Sequence, residues 1–126
     1  MWKFPPARRV AAKSGSMKNR VPERGDFVWL DFQPQAGHEQ AGRRPALVLS
    51  HHAYNAKVGL AVCCPVTSQS KGYPFEVPVG VAGVSGVVLS DQVKNLDWRV
   101  RRAEFIAAAP GEVLADVLAK VRALVE

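Results

Sequence analysis

Cysteine is scarce in this chain, and the two thiols present are poorly placed for stapling or metal binding. Cys63 and Cys64 are neighbours inside an apolar run, without a CxxC spacing or an adjacent histidine pair. A disulfide framework and a structural zinc site are therefore excluded. Strand alternation would send the two side chains to opposite faces, as buried free thiols of a reducing compartment. Long apolar runs are missing as well. No stretch approaches the roughly 18 residues that a membrane helix needs, and the longest uncharged stretch, residues 77–90, is interrupted by Pro78, Gly80, Gly83, Ser85 and Gly86. The first twenty residues lack the apolar segment of a secretory signal, so a cytoplasmic location is expected. There is no GxxxxGK[ST] or GxGxxG loop and no HExxH pair, which removes nucleotide-driven and zinc-peptidase chemistry.

Acidic residues are absent from residues 1–20, and that absence governs the charge balance. The chain has 126 residues, enough for one domain with one core, and a net charge of +6. Lys3, Arg8, Arg9, Lys13, Lys18 and Arg20 supply all of that excess, while basic and acidic side chains balance over residues 21–126. Pro5, Pro6, Gly15 and the lack of a periodic apolar face make residues 1–20 read as a disordered basic arm. Residues 21–126 form the folded domain, and bulk charge alone gives no ground for calling it a nucleic-acid binder.

Within the domain, residues 25–34 carry apolar side chains on both sides of a strand alternation, which predicts a strand covered on both faces and ending at Pro34. A polar, Gly-rich loop follows. Further short strands are expected over 45–50, 59–66, 75–79, 85–89 (continuing into 91–98) and 102–107, with Pro78 favouring an edge. Residues 51–55 suggest a turn or one helical turn. From residue 111 to 125 the apolar positions recur at helical spacing behind Pro110 and Glu112, which suit a first turn. The fold class is a β-rich α+β domain: a small antiparallel sheet or partly open barrel with a C-terminal amphipathic helix.

Three clusters of reactive side chains lie in loops or at strand ends. The first is His38, Glu39, Gln40, Arg43 and Arg44. The second, Thr67, Ser68, Gln69, Ser70 and Lys71, gathers hydroxyls and a cation suited to an anionic oxygen. The third runs through Asp91, Gln92, Lys94 and Asn95 to Trp98, Arg99, Arg101 and Arg102. Its basic residues interleave with amides and an aromatic, as single-stranded nucleic acid requires, although Trp98 could equally be core.

The order and wording of these clusters resemble the MazF/PemK (Kid) family of toxin endoribonucleases from type II toxin–antitoxin modules. The resemblance covers residues 21–125 and rests on VPERGDFVWLDFQP, GHEQAGRRPALVLS, TSQSKGYPFEV and GVVLSDQVKNLDWR. It implies an SH3-like barrel with a C-terminal helix, a homodimer, and an acidic antitoxin of the MazE kind lying over the RNA grooves. It further implies metal- and cofactor-independent, sequence-specific cleavage of single-stranded RNA: the ribose 2′-hydroxyl attacks the adjacent phosphate, leaving a cyclic phosphate and a 5′-hydroxyl.

On the motif positions, Glu39 is the expected base, Arg44 stabilises the phosphorane charge, and Thr67 orients the phosphate. RNA contacts are expected from Gln40, Arg43, Lys57, Ser68, Gln69, Lys71, Gln92, Lys94 and Asn95. Ser68 stands where relatives often carry a second threonine, and Arg43 where other residues occur. A histidine acid–base pair from His38, His51 and His52 would use residues outside the motif positions. The competing expectation from another class is a non-catalytic toxin of the CcdB kind, which shares the fold and acts on DNA gyrase without needing Glu39, Arg44 and Thr67.

Overall fold

The computed structural model describes residues 20–32, 42–81 and 83–126. Among these residues, seven strands form a curled antiparallel sheet: β1 (Asp26–Phe32), β2 (Gly42–Val48), β3 (Leu60–Thr67), β4 (Glu76–Val81), β5 (Val84–Leu89), β6 (Lys94–Asp97) and β7 (Glu104–Ala108). A short helix, α1 (His52–Val58), precedes β3, and α2 (Gly111–Val125) closes the chain. The strand order is β4-β5-β3-β2-β1-β7, with β6 also paired to β3. No helix among the described residues is long and apolar enough to cross a membrane.

The sheet separates two apolar clusters, and β1 and β3 feed both. Phe27, Leu47, Cys64, Val66, Val77 and Val88 pack beneath Val113 and Val117 of α2. On the other face Val28, Leu30, Phe32, Ala46, Val48, Cys63 and Trp98 pack together. The expectation of a doubly covered first strand holds, as does the opposite facing of the two cysteines. Burial pushes the Cys63 thiol up to about 12 and raises that of Cys64 too, so both remain protonated and unreactive at neutral pH.

Helix α2 has the bounds its periodicity predicts, and β4, which carries Pro78, is an edge strand. The residues expected to continue the fifth strand instead turn after Leu89 and form β6. That strand pairs with the first half of β3, from Leu60↔Asp97 to Cys63↔Lys94, while β5 takes Val66 and Thr67 on the same edge. The junction of β5 and β6 therefore opens beside the end of β3. The last strand begins at Glu104 rather than residue 102, because Arg102 has a left-handed backbone (φ 55°) that ends the preceding turn. Arg20, counted with the basic arm by composition, packs its guanidinium 4.1 Å over the Phe105 ring. Residues 1–19, the rest of that arm, lie outside the described residues.

Candidate active site and RNA-binding face

Thr67 is the last residue of β3 and is nearly buried, with 8% of its surface exposed. Its hydroxyl oxygen accepts the Gln69 amide (3.2 Å), which leaves the hydroxyl proton to donate into the cleft. That cleft is lined by Thr67, Gln69, Lys71, Tyr73, Glu76, Leu89, Asp91 and Gln92. Two sequence clusters about twenty residues apart thus meet at one place, because the β5–β6 junction folds against the end of β3.

Arg44 belongs to the same face. It pairs opposite Leu30 on β1, and by alternation shares a side with Ala46 and Val48, on the face away from α2. β2 and β3 are in register at Ala46↔Pro65; continued two residues, that register sets Arg44 across from Thr67. Lys94, opposite Cys63, lies on this face as well, about 13 Å along β3 from Thr67. The outcome is a strip with a guanidinium, a hydroxyl and an ammonium, from Arg44, Thr67 and Lys94, along one sheet face. Such a strip can hold a phosphodiester by its oxygens and follow the chain on either side.

The loop before β4 is shaped by a carboxylate that sequence reasoning missed. Glu76 accepts hydrogen bonds from the Ser70 hydroxyl (2.7 Å), the Lys71 amide (2.9 Å) and the Gly72 amide (3.2 Å). The Ser70 bond and then the amides hold its carboxyl below the usual carboxylate range. The bonded loop is therefore stabilised wherever Glu76 is ionised, and that stabilisation is lost as pH falls through the depressed value. In acid titration by NMR, the Lys71 and Gly72 amide shifts are expected to move together, with a midpoint below that of an ordinary glutamate. A midpoint at the ordinary value would remove Glu76 as the anchor. Tyr73, half-exposed at the cleft, was also missed; its only sequence signal is an aromatic in a polar turn.

Other expected contacts are dispersed or differently employed. Lys57 is in the last turn of α1, and the Asn95 amide donates to the Tyr54 hydroxyl (2.8 Å), so these two form a neighbouring patch rather than part of the cleft. Ser68 is exposed directly after Thr67. Arg43, exposed at the start of β2, is engaged within the chain: it donates to Asp31 (3.0 Å) and the Arg102 carbonyl (2.9 Å), with Glu104 at 3.5 Å. Trp98 is 1% exposed and its indole N–H donates to the Asn55 carbonyl (2.9 Å), so the stacking alternative for it is overturned. The indole is needed in the core, where it fills the space between β3 and α1. Arg24 donates to the ring of His51 (3.0 Å), and burial with that guanidinium lowers the His51 pKa, leaving it neutral ahead of α1. Glu39, Gln40 and His38 lie outside the described residues.

A curled antiparallel sheet with a C-terminal helix, and a cleft at the end of β3 lined by a hydroxyl, amides and an ammonium, is the architecture of a class of small toxin domains. Residues 23–125 match the family of PemK-like, MazF-like toxins of type II toxin–antitoxin systems, and the chain belongs to that family. It is 49% identical over 105 residues to the endoribonuclease toxin MazF of Escherichia coli K12, covering 83% of this chain and 95% of that one. The crystal structure of MazF from Deinococcus radiodurans superposes with a TM-score of 0.80 at 61% identity, covering 84% of this chain and 97% of that one. A MazE–MazF complex from the same organism matches with a TM-score of 0.75, again at 61% identity, over 84% of this chain and 96% of that one. Nothing in these likenesses supports the gyrase-directed alternative.

Proposed function

We infer that this chain is an endoribonuclease toxin that cuts single-stranded RNA at short specific sequences without a metal ion and is neutralised by a MazE-like antitoxin. The observation that carries this reading is the convergence of Thr67, Gln69, Lys71 and Gln92 on one cleft, on the sheet face that also carries Arg44. The likeness to proteins named as endoribonucleases, and to a toxin solved with its antitoxin, supports it.

In the mechanism, the scissile phosphate lies between Arg44 and Thr67. The guanidinium fork holds two equatorial oxygens and gains strength as the phosphorane develops its extra charge. The Thr67 hydroxyl donates to a phosphate oxygen, fixing the phosphate for in-line attack by the 2′-oxygen. Glu39 takes the 2′-hydroxyl proton. Arg44 serves as a charge stabiliser rather than an acid, because a guanidinium keeps its proton in proteins, and the leaving 5′-oxygen takes its proton from solvent. Bases splayed beyond the cleft are read on their edges by Gln69 and Gln92, with Lys71 on the backbone; Lys94 extends the contact along β6, and Lys57 with Asn95 supplies a neighbouring patch. Ser68, next to Thr67, and Gln40, at its motif position, are further RNA contacts in this reading. The toxin domain spans residues 21–126, preceded by a basic arm. It works in the cytoplasm as a homodimer, where its two thiols stay reduced.

The reading is tested by placing a single 2′-deoxynucleotide on the 5′ side of a mapped cut. That substrate is expected to remain intact while bound normally. Cleavage at the deoxy position would overturn the 2′-hydroxyl mechanism.

A further inference from the structure

Asp31 is the centre of an ionic network that the cleavage reaction, as described, does not use. Its carboxylate accepts from Arg43 Nη1 (3.0 Å), Arg102 Nε (2.7 Å) and Arg102 Nη2 (3.2 Å). Arg43 closes the ring by donating to the Arg102 carbonyl (2.9 Å). The Asp31 main chain is tied to the same turn: its amide donates to the Arg101 carbonyl (3.0 Å), and its carbonyl accepts from Arg101 Nη1 (3.0 Å). One residue of β1 thus gathers three arginines, Arg43 from β2 and Arg101 and Arg102 from the turn before β7.

Two features distinguish this network from an incidental surface pair, which would contribute little. Asp31 and Arg43 are direct cross-strand partners, so the bond is made without displacing either strand. Arg102 is the only non-glycine residue with positive φ among the described residues. A left-handed backbone is unfavourable for an arginine, and the bidentate contact with Asp31 offsets that strain. The carboxylate is correspondingly held down to about 2 by Arg102 and Arg43, so the network is intact at any physiological pH.

We propose that Asp31 is a positioning residue for RNA cleavage: by fixing Arg43 to the 99–102 turn, it sets where the adjoining Arg44 meets the phosphate. This rests on the endoribonuclease reading above. The network has a second effect, because it occupies two arginines that would otherwise add non-specific affinity for RNA. Positioning and affinity therefore respond to its loss in opposite directions.

The test uses Asp31→Asn, which keeps the size of the side chain, and Arg102→Gly, which removes one arm while relieving the left-handed backbone. Asp31→Asn is expected to lower kcat about tenfold or more, since small misplacements of a catalytic group have large effects. KM at low salt should hold or fall, with a steeper salt dependence as Arg43 and Arg102 become available to phosphate. Arg102→Gly, which leaves Arg43 on Asp31, should lower kcat less. Independently of cleavage, the backbone amide and Nε–H resonances of Arg44 should shift in Asp31→Asn. Wild-type kcat in Asp31→Asn, or parallel losses in kcat and affinity, would overturn the proposal, as would unmoved Arg44 resonances. If the wild-type protein cut no RNA, the endoribonuclease reading would fail instead, and the resonance shift would still decide the positioning role.

Discussion

Arg44→Ala is expected to cut RNA about 10²–10³-fold more slowly than the native chain, a loss of about 3 kcal/mol of transition-state stabilisation. On the way to the phosphorane the non-bridging oxygens gain negative charge, and in the absence of a metal ion a cation must already stand beside them. Arg44 lies at the site end of β2, on the face away from α2, and the β2–β3 register directs it toward Thr67. Because its pairing with Leu30 is made by main-chain groups, truncation of the side chain should leave the sheet intact. The melting temperature is then a control, expected to change by no more than a few degrees. Arg44→Lys should recover only part of the rate, since an ammonium cannot hold two oxygens with a planar fork. Single-turnover kinetics with saturating enzyme separate this effect from weakened binding; near-native turnover by Arg44→Ala would remove the guanidinium from the mechanism.

A second large effect is expected from a residue with no side chain. A Cβ on Gly86 would lie 2.1 Å from the Thr67 carbonyl oxygen and within 3.0 Å of the Ser68 Cα, and Gly86 has φ 137°. Val87, its neighbour on β5, pairs with Thr67, so Gly86 stands beside the point where β3 ends at the cleft. Any side chain there must push the Thr67–Ser68 backbone away. Gly86→Ala is therefore predicted to lower kcat/KM about 10²-fold by displacing the Thr67 hydroxyl, and to destabilise the fold by about 1–3 kcal/mol. Gly80→Ala is the control, since its Cβ would meet nothing within 4 Å; it should retain nearly full activity. Equal activity of the two variants would show that the approach of Gly86 to Thr67 is without consequence.

Much of the fold could be read from local pattern because its signals are local. The alternation along β1, the opposed facing of Cys63 and Cys64, the edge position of Pro78 and the span of α2 each depend on the spacing of neighbours along one element. What could not be read depends on register across the sheet. The four-residue strand β6 has no distinctive alternation of its own and exists because the first half of β3 has an unpaired edge. For Arg43 the sequence offered a phosphate contact or a solvated charge; nothing in its neighbourhood tells that Asp31, twelve residues earlier, will stand opposite and that Arg102 will join it. Trp98 had the composition of a stacking platform, and only the packing of α1 against β3 shows that the core takes it.

The candidate site divides in the same manner. Motif resemblance marked Thr67, Gln69, Lys71 and Gln92, and tertiary structure unites them around one cleft. Glu76, which organises the loop carrying Lys71, escaped notice because a glutamate at a strand start looks like a solvated charge until its three loop donors are seen. The bulk charge, by contrast, was a poor guide. The basic excess belongs to residues 1–20, and the domain acts through where its cations stand.

The most direct test of the account is to incubate the purified chain with a long single-stranded RNA in excess EDTA and identify the new ends. The account predicts discrete cuts at a short recurring sequence, each leaving a 2′,3′-cyclic phosphate and a 5′-hydroxyl. Intact RNA, cleavage abolished by the chelator, or 5′-phosphate ends would contradict it.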